Sequence, residues 1–268
     1  MHLWHLASLD APTVAVVWTF SFGWARHVAV PASIAVLTGL TVWAVYVGDR
    51  LLDVRRALGA GQMESLRERH FFHWRNRRWL VPAAMAAAAV AAWLFFARLP
   101  AGWFAPDAAI GAAAMGYFAC VHGGGGFESD PSRPHVRGVS KELLVGVLFA
   151  LGCAAPAWIA GSHSWSWCAT IAFFAALAWL NCSAIDKWES ADRNASVRSI
   201  ALIFAATGAC VALLFEHGEP RLGALLAAGA TAALLLAILD RMRGRMNPTT
   251  VRALADLVML APLGLLLR

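Results

Sequence analysis

Apolar runs of membrane-spanning length recur from one end of this chain to the other, and they leave it few possible folds. Crossing the hydrocarbon core takes about 20 mostly apolar residues. Nine segments approach that length: 11–27, 31–48, 79–97, 104–122, 140–160, 165–184, 197–214, 221–240 and 249–267. Lipid offers no partner to backbone N–H and C=O groups, so such runs are helices rather than open strands. The expected fold is an all-α polytopic membrane protein. It is a single domain over 1–268, a bundle of about nine transmembrane helices around a central cavity. The composition agrees: 14% of residues are charged, where a soluble domain carries about 25%. The many Ala and Gly residues suit close helix contact.

The charges are unevenly placed. Of the 22 Lys and Arg residues, 18 fall in the segments 49–78, 123–141, 187–198 and 241–252. In a nine-helix arrangement these all lie on one side. The positive-inside rule puts that side, and the N-terminus, in the cytoplasm. The net charge of +6 is therefore a topology signal, and no nucleic-acid partner is expected; membrane lipids are. The Ala- and Arg-rich composition points to a bacterial cytoplasmic membrane. Met1–Asp10 lacks a basic stretch, so no cleavable leader is expected. The cysteines (Cys120, Cys153, Cys168, Cys182, Cys210) have no metal-ligand spacing and read as small packing residues. Trp4, Trp79, Trp103, Trp165 and Trp167, near helix ends, suit interfacial belts.

Acidic residues are the costly feature. Asp49 and Asp53 follow the second run; Asp186, Glu189 and Asp192 follow the sixth. Spacings of three and four place the acids of each cluster on one helix face. Like charges so placed repel, and a bound divalent cation relieves the repulsion. Mg²⁺ takes one or two carboxylates plus phosphate oxygens and waters. Two facing clusters could thus hold a diphosphate through Mg²⁺, with Asp49, Asp53, Asp186 and Glu189 as metal ligands and Asp192 in reserve. Arg50, Arg69 and Lys187 would neutralise the remaining charge. The alternative is a set of solvated helix ends paired with Arg50, Arg55, Lys187 and Arg193.

Several stretches resemble the UbiA-type intramembrane prenyltransferases. Ser8-Leu9-Asp10-Ala11-Pro12 resembles that family's entry to its first helix. Gly48-Asp49-Arg50-Leu51-Leu52-Asp53 resembles the second half of its first Asp-rich motif, and Asp186-x-x-Glu189-x-x-Asp192 stands where the second is expected. Ser140-Lys141-Glu142 resembles the entry to its fifth helix, with Lys141 as the basic residue. The chain departs from the pattern where Tyr46 replaces an acid, in the spacing of the second motif, and at Arg69-His70-Phe71-Phe72. The resemblance implies Mg²⁺-dependent transfer of a prenyl group from an isoprenyl diphosphate to a lipophilic, aromatic or quinone-like acceptor. Two rivals remain: a catalytically impaired relative that binds a lipid, and an ion-coupled transporter.

Other residues carry two readings each. Tyr46 lines the cavity or faces lipid at the interface. Asn181 contacts substrate or hydrogen-bonds across helices. Asp256 pairs with Arg252 or lines the cavity. His70 and His73 cap the site or belong to an amphipathic helix on anionic headgroups, the latter being favoured. The Gly- and Pro-rich stretch 123–139 reads as a mobile connection. A first prediction follows from charge alone: single cysteines at Ser65, Ser132 and Asn247 react with impermeant thiol reagents only from the cytoplasmic side. Labelling of any one from outside breaks the nine-helix topology.

Overall fold

A computed structural model describes residues 2–63, 66–122, 141–189 and 196–267. Every regular element among them is helical. The order is α1 (His2–Leu6), α2 (Asp10–Ala25), α3 (Ala32–Ala60), α4 (Glu68–Arg75), α5 (Arg77–Arg98), α6 (Phe104–His122), α7 (Lys141–Ala160), α8 (Trp165–Glu189), α9 (Arg198–Phe215), α10 (Pro220–Met242), α11 (Pro248–Val258) and α12 (Leu263–Leu266). Six of them (α3, α5, α7, α8, α9 and α10) are long and apolar enough to cross a membrane. The chain is thus a helical protein of membrane-spanning type, though nine spans are not shown. Ser65 and Ser132, together with stretch 123–139 and Asp192, lie outside the described residues.

Two sequence boundaries shift for clear reasons. The run 31–48 continues as helix through Asp49 and Asp53 to Ala60, where Gly61 closes it at φ +69°. Glycine adopts that left-handed backbone without a Cβ penalty. The last run, 249–267, breaks into α11 and α12 around Met259–Pro262. Pro262 has no N–H to continue the ladder and crowds the preceding turn. The carbonyl of Met259 instead accepts a hydrogen bond from Trp18 Nε1 at 2.8 Å.

Short α2 is the axis of the bundle. It packs on α3, α7, α10, α11 and α12. Its Trp18 stacks on Phe174 of α8 with ring centroids 3.8 Å apart, and Phe22 meets Trp167 edge-on at 5.2 Å. Trp167 is fully buried in this cluster; it faces α2 rather than the interface expected for it. Trp4, Trp79 and Trp165 are exposed. Among the hydroxyls buried in α2 and α8, Thr19, Ser21 and Thr170 donate to the carbonyls four residues back, while Ser166 donates to Glu219 Oε1 at 2.6 Å. Cys153 is buried, whereas Cys168 and Cys210 point outward.

Small residues set the helix spacing. A Cβ on Gly146 of α7 would stand 2.7 Å from the Ala175 carbonyl oxygen and 2.8 Å from the Trp179 nitrogen of α8. Both obstacles are backbone and cannot swing aside. Likewise the Phe173 ring fills a notch between Gly208 and Gly229, where added Cβ atoms would meet it at 2.6 and 2.8 Å. The loops gather at two ends. At one end Arg26, after α2, bonds Ser162 of the α7–α8 loop and pairs with Glu219 of the α9–α10 loop at 3.6 Å. The acidic clusters occupy the other. Gly146→Ala should force α7 from α8 and lower stability by about 1–3 kcal/mol, read as a lower melting temperature in detergent. Gly152→Ala on the same helix, where no atom lies within 4 Å, should leave melting unchanged or raise it.

Candidate functional site

The C-terminal third of α3 carries the first acidic cluster. Arg50 lies along it, 3.2 Å from Asp49 and 3.7 Å from Asp53. Its guanidinium also sits 5.8 Å from the centroid of the Tyr46 ring, one turn earlier. Tyr46 is half-buried on the inner side of α3, within electrostatic reach of Asp256, Cys182, Arg50 and Asp10. Of its two readings, the ring takes the inward one. Tyr117 of α6 lies within the same reach of Asp49, Asp53 and Glu142, so α6 and α7 contribute to this wall.

The second cluster divides. Glu189, at the end of α8, accepts from Arg252 Nη1 of α11 at 2.5 Å. It also lies 3.6 Å from Arg69 and 3.8 Å from Arg67. Asp186, one turn earlier, is exposed, and Lys187 is half-buried. The side chain of Lys141 lies outside the described residues. Arg50 and Glu189 are within electrostatic reach of each other, so both clusters open on one mouth of the bundle. No three of Asp49, Asp53, Asp186 and Glu189 are gathered at metal-ligand distance among the described residues. The group so gathered is His5, Asp10 and Asp256, whose ligand atoms lie within 4.8 Å of one another.

Helix α4 folds across this mouth. The sequence favours a helix lying on lipid headgroups, but only its outer side fits that. His70 and His73 are buried beneath it. His70 Nδ1 accepts the Arg67 backbone N–H at 3.0 Å. Its Nε2 is thereby the protonated nitrogen of a neutral ring, and it lies 3.5 Å from Asp53. His73 has the opposite tautomer. Its Nδ1 donates to the Arg69 carbonyl at 2.8 Å, leaving Nε2 to face the Ser8 hydroxyl at 3.5 Å. The outer side of α4 presents Phe71 and Arg75 to the surroundings, and the start of α5 adds Arg77, Arg78 and Trp79. Arg77 lies over the Trp74 ring at 4.4 Å.

Other polar groups are paired in ways that the sequence does not indicate. Asp256 pairs across the bundle rather than with Arg252: Asn181 Nδ2 donates to it at 3.2 Å. His5 and Asp10, from the N-terminal turn, bond at 2.7 Å. Asp240 is a structural carboxylate, accepting from Trp188 Nε1 and Ser196 Oγ at 2.6 Å each. Three arginines at the mouth hold donors in reserve. The Nε atoms of Arg50, Arg69 and Arg252 are buried without a hydrogen-bond acceptor. Unspent buried donors cost free energy and mark places where an acceptor fits.

No family model, curated protein or solved structure matches this chain.

Burial of His73, then the charge of nearby Arg50, pushes its imidazole down to about 4. The unfolded chain takes up that proton near pH 6.5 and the folded chain does not until about pH 4. Stability contributed by the neutral ring is thus complete above pH 6.5 and declines as pH falls toward 4, by roughly 3 kcal/mol in all. Melting of the detergent-solubilised protein should fall across that window. His73→Gln should flatten this acid limb; an unchanged limb would show that α4 does not bury His73.

Proposed function

We propose that this protein is an integral membrane prenyltransferase. It would move a prenyl group from an isoprenyl diphosphate to a lipophilic, aromatic or quinone-like acceptor, with Mg²⁺ at the acidic clusters. The observation that carries this reading is the convergence of three partly buried arginines, their Nε donors buried and unspent, on two acidic clusters at one mouth of an apolar bundle. A polyanion bridged by divalent cations needs both kinds of partner. Carboxylates take the cations, and guanidinium donors take the remaining phosphate oxygens.

The donor set fits Mg²⁺ chemically: it is all oxygen, and the Asp49 and Asp53 side chains are 28% and 32% exposed toward the mouth. When bound, Mg²⁺ would neutralise charge growing on the departing diphosphate. The protein's own residues would do the rest. Arg50 neutralises Asp49 and Asp53. Those acids would hold the cation, and the Arg50 guanidinium would then be available to phosphate oxygens. Arg69 and Arg252, held by Glu189, would close on the diphosphate from α4 and α11. Tyr46 can donate a hydrogen bond to a phosphate oxygen or line the acceptor space with its ring. Loss of diphosphate breaks a C–O bond and leaves an allylic cation, which the acceptor captures with loss of a proton. The buried apolar walls exclude the water that would otherwise capture it. The excess of basic residues in the loops of this end supports a cytoplasmic mouth and N-terminus in a bacterial membrane.

The test is an assay of purified protein with a panel of prenyl diphosphates and quinone-type acceptors in Mg²⁺ and in EDTA. Prenylated lipid should form only with Mg²⁺. Asp49→Asn or Arg50→Ala should each lower the rate by about 10²-fold or more, the scale for removing a charge-stabilising group. Tyr46→Phe should lower it less and leave melting unchanged. Absence of both diphosphate binding and product across the panel defeats the reading.

A further inference from the structure

The cluster of His5, Asp10 and Asp256 plays no part in the diphosphate scheme and does not rest on it. The sequence does not announce it, since its extreme members, His5 and Asp256, are 251 residues apart and none shares a motif with another. Yet α1, the start of α2 and α11 bring them together. His5 Nδ1 lies 2.7 Å from Asp10 Oδ2 and 3.9 Å from Asp256 Oδ2, and one ligand atom from each lies within 4.8 Å of both others. Ligand atoms around one ion at bond lengths of about 2.0–2.2 Å stand roughly 3 to 4.4 Å apart. The cluster needs only a small adjustment to meet that.

Two further features point to an ion. Asn181 is 8% exposed and its amide lies against Asp256. Its Nδ2 bonds Asp256 Oδ1 at 3.2 Å, while its Oδ1 is buried with no hydrogen-bond partner. A half-turn of that amide directs the spare oxygen at the cluster as a fourth ligand, and amide oxygen and nitrogen exchange places at little cost. The second feature is charge. Two carboxylates this close repel unless a proton or a cation lies between them. Arg252, the nearest basic residue on α11, is engaged by Glu189. The Asp10 and Asp256 side chains are 15% and 17% exposed, which leaves a path for an ion.

We propose that His5, Asp10 and Asp256, with the Asn181 amide oxygen, bind a divalent transition-metal ion of the Mn²⁺, Fe²⁺ or Zn²⁺ kind. The imidazole nitrogen separates it from an all-oxygen Mg²⁺ or Ca²⁺ site. The dianionic carboxylate pair matches the ion's charge. The ion would tie the N-terminal turn to α11 and brace the wall that carries Tyr46 and Arg50.

The full-length protein is purified in detergent, stripped with EDTA and titrated with Co²⁺ and Zn²⁺ in the absence of any diphosphate. One ion should bind per chain and raise the melting temperature, as any ligand of the folded state does. Mg²⁺ at equal concentration should not displace it. His5→Gln and Asp256→Asn should each weaken binding by at least about tenfold, while the exposed Glu216→Gln should not. No ion on the wild-type chain overturns the proposal, as does unchanged binding in both variants. So does an ion lost in Asp49→Asn and kept in Asp256→Asn, which would place it in the acidic clusters. Should the variants not fold, X-ray absorption of the Zn²⁺-loaded wild type decides. A shell containing imidazole supports the site, and an all-oxygen shell overturns it.

Discussion

A charged side chain at the end of an apolar bundle must find a partner, and the partners found here hold one end of the molecule together. Glu189 of α8 gathers Arg67 and Arg69 from the α4 region and Arg252 from α11. Asp53 of α3 is approached by His70 of α4. Asp256 of α11 is held by Asn181 of α8. Each contact joins separate helices, and those of Glu189 and Asp256 join helices remote in sequence. In a medium of low polarity, removing one member leaves the other uncompensated. Helix α4 is therefore part of the bundle's closure, and burial, ahead of the charge of Arg50, keeps His73 neutral.

The opposite demand operates midway along the bundle. There is little hydrophobic gain in bringing helices together inside lipid, so association depends on close contact. Gly146 brings α7 onto the backbone of α8, and Gly208 and Gly229 admit the Phe173 ring. Trp18, Phe22, Trp167 and Phe174 fill the space around α2. The hydroxyls of Thr19, Ser21 and Thr170 are satisfied without charge, bonding back along their own helices. Nearer the charged end, Asp240 accepts from Trp188 and Ser196, and so stitches the end of α10 to α8 and to the residues before α9.

These two regions give the proposed chemistry its setting. A packed apolar interior supplies walls without water, and the mouth concentrates both signs of charge. The present pairing of Arg50 with Asp49 and Asp53 is self-neutralising. In the proposed scheme the acids would hold the cations and the arginine would serve the phosphates.

The sequence by itself determined the helical class, because apolar runs of spanning length allow no other backbone solution in lipid. It also located Asp49, Asp53 and Glu189, because acids stand out against an apolar background. It placed the breaks less well. The continuation of α3 to Ala60 depends on side-chain pairing along the helix, and the break before α12 depends on Pro262 and on a carbonyl claimed by Trp18. Only the tertiary structure decided what each charge faces. Spacing puts Asp186 and Glu189 on one helix face, yet Glu189 is caged by arginines and Asp186 stays exposed, because the arginines arrive from α4 and α11. The same holds for His5, Asp10 and Asp256, whose proximity is set by helix packing. Local periodicity reports which face of a helix is apolar; the partner that meets a polar residue on that face is chosen by elements hundreds of residues away.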